Sequence, residues 1–162
     1  MTVQLRKPRY WRRTAVILLQ MGIAGSLPVL ASEPSRADRI VQIRQAAMTV
    51  QSAVVPALAA MANGKAPYEP KRALLLAQRA AMLAVLSSET FADESRYAMK
   101  SMSRPEVWSQ RSEFNQLMSG YVEKTAALLK AAEGTGVDTL RPAVAEVSRT
   151  CRSCHEKFEE MP

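Results

Sequence analysis

From residue 36 onward, the residues that break helices cluster in four places, with long helix-forming intervals between them. The clusters are ANGKAPYEP at 62–70, SSETFADES at 87–95, SRP at 103–105 and EGTG at 133–136. Between them Ala, Leu, Met, Gln, Arg and Glu dominate, all of which lose little freedom in a helix. No interval alternates apolar and polar residues as a half-buried strand would. The pattern predicts helices over roughly 36–61, 69–87, 105–132 and 138–160, with one long link at about 88–104. Four such helices with mostly short links predict an all-α fold, an antiparallel up-down four-helix bundle.

The first 31 residues stand apart from this plan. MTVQLRKPRYWRR is a basic leader and TAVILLQMGIAGSLPVLA an apolar run, ending in the small-residue site Val29-Leu30-Ala31. This is the form of a cleaved secretory signal, with Ser32 as the first mature residue. The run approaches the length that spans a bilayer, but Gly22, Gly25, Ser26 and Pro28 interrupt it. Residues 32–162 then form one exported, periplasmic domain with no stable membrane insertion. Five of the 22 basic residues lie before residue 32 and no acidic ones do, leaving 17 basic against 15 acidic. The high overall charge therefore belongs mostly to the leader, and nucleic-acid binding is not indicated. A domain of about 131 residues can bury roughly two-thirds of its unfolded surface, enough for a core without staples.

Helical periodicity sharpens the last and first intervals. Leu140, Val144, Val147, Cys151, Cys154 and Phe158 form one stripe about 80° wide, and His155 widens it to about 100°. The cysteines and the histidine are thus expected on the core-facing side, at the C-terminal end of the last helix. In the first helix, Ile40, Ile43, Ala47, Val50, Val54, Leu58 and Met61 form the expected core stripe. Met48 lies about 120° from the centre of that stripe, in a row with Val41 and Val55, flanked by Arg44 and Gln45. Two apolar faces imply two partners, either within the chain or on a second subunit. Pro56 should kink this helix, since it cannot donate to the Ser52 carbonyl.

Both cysteines of the chain, Cys151 and Cys154, and its only histidine, His155, fall within five consecutive positions. Three chemistries use such a group. An exported dithiol would normally pair as a disulfide, but a thioredoxin-like site expects a strand before it and a helix after it. Structural zinc expects four ligands, and this trio supplies three. Covalent haem needs two thiols on one helical face to reach two vinyl groups, with an adjacent imidazole for iron. Cys-x-x-Cys-His meets that need, and thioether formation explains why an exported pair need not form a disulfide.

With this motif near its C-terminus, the chain resembles the class II c-type cytochromes, the cytochrome c′ group. IRQAAM at 43–48 is similar to the family's first-helix motif, GKAPYE at 64–69 to its first loop, and RPEVWS at 104–109 to the start of its third helix. The resemblance spans nearly all of residues 36–158. It implies a four-helix bundle with one covalently attached haem c near one end, and often a homodimer. By the same resemblance Cys151 and Cys154 form the thioethers and His155 is the proximal iron ligand. Arg44 and Gln45 fall near the haem propionates, Met48 at the distal position and Phe91 at an aromatic that crowds the distal pocket. Two positions depart from the family pattern. Ser87-Ser88 replaces a Pro-Trp pair, and Glu159 stands where a basic residue is usual.

Two functions follow from Met48. If its sulfur binds iron, the site is six-coordinate and exchanges electrons, and this is the preferred expectation. If it only fills space, the iron can bind nitric oxide or carbon monoxide. An enzyme is not expected, because the single histidine is committed to iron. Trp108 and Tyr121 are read as packing residues. A mature charge of +2 is too small to select a redox partner by sign.

Overall fold

The computed structural model describes residues 33–134 and 136–160. The leader and its cleavage site lie outside the described residues. Five α-helices are described: α1 (Arg36–Ala62), α2 (Pro70–Ser88), α3 (Glu106–Ser109), α4 (Arg111–Glu133) and α5 (Val137–Phe158). A 3₁₀ turn, Asp93–Tyr97, lies in the long link between α2 and α3.

The ends of these helices follow from local chemistry. Ser35 caps α1, its hydroxyl accepting the Asp38 N–H at 3.1 Å and so satisfying one of the free amides of the first turn. After α1 the chain reverses at Gly64, whose φ of 70° would strain any residue with a Cβ. The amides of Lys65 and Ala66 both return to the Ala60 carbonyl, at 2.8 and 3.1 Å. Pro70 opens α2 at a position where its missing N–H costs nothing.

Each of the four long helices packs on two neighbours, in the cyclic order α1, α2, α4, α5. This is the expected up-down bundle. Leu58, Leu128, Leu140 and Val147 are fully buried at its centre, each contributing about 1.5–3 kcal/mol of hydrophobic stabilisation. Ala73, Ala77, Ala80 and Ala84 are fully buried along the inner face of α2, flanked by Leu76 and Leu83. α1 is the one helix among the described residues long and apolar enough to cross a bilayer. Its buried face is taken up by α2 and α5.

Two expectations are corrected. The helix expected over 105–132 is broken at Gln110, where ψ turns to 43°. No breaker residue stands there. The Arg111 guanidinium donates to the Phe91 carbonyl at 2.8 Å, tying the start of α4 to the long link. Both flanking turns keep their bonds, Gln110 N–H to Glu106 and Phe114 N–H to the Gln110 carbonyl.

The buried face of α1 is also rotated by about 60° from the expected stripe. Ile43 and Val50 are each 47% exposed, whereas Val41, Arg44, Gln51 and Val55 are buried. The Val41–Met48–Val55 row thus faces the chain's own interior, and not a second subunit. α1 continues through Pro56 to Ala62.

Candidate functional site

The last two turns of α5 form one wall of an open hollow at the end of the bundle. Up to Val147 the α5 stripe is buried, but Cys151 and Cys154 are half-buried and His155 is exposed. The stripe leaves the core there because the facing space is cavity. Two adjoining cavities of about 470 and 270 Å³ share Met48, Ser52, Met118, Cys154 and His155. Their combined size lies in the range of sites that enclose a large cofactor.

Cys151 and Cys154 are separate thiols packed against the core. Burial pushes both above the usual thiol range, and Cys154 rises to about 11, with smaller effects from Cys151 and Glu159. They are therefore neutral thiols near pH 7, one turn apart along the cavity wall. Together with His155 they do not converge on one point, as a zinc ion would require.

The first helix supplies the opposite wall. Met48 lines both cavities and is half-buried. Its sulfur lies 3.9 Å from Gln51 Nε2, which also donates to the Ser87 hydroxyl at 3.2 Å. Gln51 is buried, and its Oε1 has no partner among the described residues.

Arg44 is 5% exposed. Its guanidinium donates to the Thr90 carbonyl at 2.8 Å and the Ser101 hydroxyl at 3.1 Å, and lies 4.3 Å from the centre of the Phe91 ring. Desolvation lowers its pKa to about 10. Among the described residues no carboxylate pairs with it. Gln45 donates to the Lys100 carbonyl at 2.8 Å and lines the larger cavity, as do Arg44 and Phe91. Phe91 packs at a tilt against Phe114, which meets Phe158 edge-on, so three rings form the floor.

All seven residues singled out in the sequence line one or both cavities. Sequence reasoning missed Gln51 and Tyr121. Gln51 stands seven residues after Arg44, so a polar pair recurs on the buried face of α1, which is a readable signal. Tyr121 was assigned to packing, yet it faces Cys151 and Cys154 across the smaller cavity. Burial raises its hydroxyl pKa, helped by the two thiols.

The residues present fit a covalently held haem. The thiols are neutral and share a wall, an imidazole stands at the rim, the floor is aromatic, and a buried cation lacks an anion for which a propionate would serve. Comparisons with known proteins agree. A family model described as Cytochrome C′ matches residues 39–159. Cytochrome c-554 of Cereibacter sphaeroides is 31% identical over 138 residues, covering 83% of this chain and 90% of the relative. Cytochrome c′ of Alcaligenes xylosoxydans xylosoxydans is 25% identical, covering 78% and 97%. The crystal structure of cytochrome c′ from Rubrivivax gelatinosus superposes with a TM-score of 0.75 at 26% identity, covering 79% of this chain and all of that one. The chain belongs to the cytochrome c′ family, a class II c-type cytochrome with covalently attached haem c.

Proposed function

We propose that this chain is an exported, periplasmic electron carrier in which His155 and Met48 would supply the ligands to the haem iron. The observation that carries this reading is that α1 and α5 place Met48 and His155 on the walls of the same two cavities. Haem c would supply a one-electron iron couple, and a thioether ligand in addition to an imidazole would raise its potential. The protein's own residues do the rest. Cys151 and Cys154 fix the group to α5. Arg44 and Gln45 offer donors to its carboxylates. Phe91, Phe114 and Phe158 keep water from one side. No catalytic residue set is assigned.

A second copy belongs to the same proposal. α2 turns its alanines inward and leaves Leu75, Met82 and Leu86 exposed in one row. Ile43 and Val50 are exposed at seven-residue spacing on α1. Rows that are mostly apolar, interrupted on α2 by the exposed Arg79, suit self-pairing about a two-fold axis.

A second reading, binding of nitric oxide or carbon monoxide at an open sixth position, is favoured by Gln51. Its amide already engages the Met48 sulfur, and a structural neighbour from Alcaligenes xylosoxidans, 24% identical, was solved with bound NO. Substitution separates the two. In the haem-loaded protein, Met48→Leu should lower the reduction potential and open the iron to carbon monoxide. An unchanged potential and carbon monoxide response would show that the sulfur is only a pocket wall.

A further inference from the structure

His155 and Glu159 stand one helical turn apart at the end of α5, with Nδ1 of the imidazole 3.1 Å from Oε2 of the carboxylate. The i, i+4 spacing brings the pair close. What sets it apart is how firmly the backbone beneath Glu159 is held. Ser103 and Glu159 form an isolated antiparallel bridge. Around it the Arg104 N–H reaches the Phe158 carbonyl at 2.9 Å, and the Glu160 N–H reaches the Met102 carbonyl at 2.8 Å. The Glu159 N–H closes the last turn on the His155 carbonyl at 3.1 Å. The Arg104 side chain donates to the Glu156 and Lys157 carbonyls at 3.3 and 3.4 Å. Phe158, only 4% exposed, anchors the turn in the core.

The surrounding charges leave the carboxylate to the imidazole. Lys157, the nearest lysine in sequence, is paired with Glu113 on α4. Among the described residues, His155 is the one ion-pair partner of Glu159. Glu159 also lines the larger cavity beside His155.

The geometry points to Glu159 as a positioning residue for the iron ligand: its carboxylate accepts the Nδ1–H of His155, fixes the ring orientation and makes the imidazole a stronger electron donor to iron. This rests on the reading that His155 ligates the haem iron. A basic residue at this place could not accept that hydrogen bond, and its positive charge would draw electron density away. A carboxylate instead favours the ferric form and offsets part of the rise in potential that a thioether brings. The clamp at 102–104 matters because a carboxylate on an unanchored turn would exchange this contact for water.

The test compares haem-loaded wild type with Glu159→Gln and Glu159→Arg. Outer-shell partners of this kind typically change a site by about ten- to a hundredfold. Glu159→Gln should shift the ferric-to-ferrous ratio at fixed applied potential about tenfold towards ferrous, which is about 59 mV for one electron. Glu159→Arg should shift it further. A second readout is the iron–imidazole stretch of the ferrous protein by resonance Raman, taken in a Met48→Ala background so that the distal side is open in every variant. That band should fall in frequency in both Glu159 variants. If potential and band are unchanged, Glu159 has no positioning role and the proposal is overturned. If the Met48→Ala protein shows no iron–imidazole band at all, His155 ligation itself fails and takes the proposal with it. The two failures are thereby distinguished.

Discussion

Arg44 shows how one residue couples this fold to its site. A buried guanidinium without a carboxylate is costly, and it is tolerated here because carbonyl, hydroxyl and aromatic groups from the 90–101 link surround it. Removing it leaves the Thr90 carbonyl without that donor and frees the link that carries Phe91. Arg44→Ala should destabilise the haem-loaded protein by about 2–4 kcal/mol. Arg44→Lys should recover little of this, since a point charge cannot span the carbonyl, the hydroxyl and the ring together. Urea unfolding checks both, and a loss below about 0.5 kcal/mol for Arg44→Ala, within the range of ordinary surface changes, would refute this role. Cys151, Cys154 and His155 were legible from sequence because their chemistry depends on spacing along one helix. The partners of Arg44 were not, because they lie 46 to 57 residues away in a link without periodicity.

At the scale of elements, the helices were legible to within one or two residues at most ends, because breakers and caps are local. The face of α1 was misjudged for a physical reason. A helix lining a polar-rimmed cavity must place Arg44 and Gln51 on its buried side, so its most apolar direction is no longer its most buried one. The break at Gln110 was equally invisible, since it is held by Arg111 from outside the turn. α2 reads the other way round: four alanines lie at the centre of its inner face, and its outer face carries Leu75, Met82 and Leu86. If this face pairs with a second copy, the double substitution Leu75→Glu, Met82→Glu should halve the mass seen by sedimentation while leaving helicity and haem content unchanged. A wild-type protein that already sediments as a monomer would refute the pairing.

For the whole molecule, the bundle acts as a rigid frame that brings α1 and α5 together around a hollow at one end. The cyclic packing of four long helices fixes the wall that carries Met48 relative to the wall that carries His155. The long link closes the same end twice, through Arg44 and through the Ser103–Glu159 bridge. Sequence reasoning reached the bundle and the haem because both rest on periodicity and motif. It could not reach the clamp at 102–104, which joins segments more than fifty residues apart with no pattern in either.

The most direct measurement is the visible spectrum of the protein matured with haem-attachment machinery, taken oxidised, reduced, and reduced under carbon monoxide. The haem should survive acid–acetone extraction, and the reduced protein should show sharp low-spin bands that carbon monoxide leaves in place. A high-spin spectrum that shifts with carbon monoxide would contradict iron ligation by Met48 and make gas binding the function of the site.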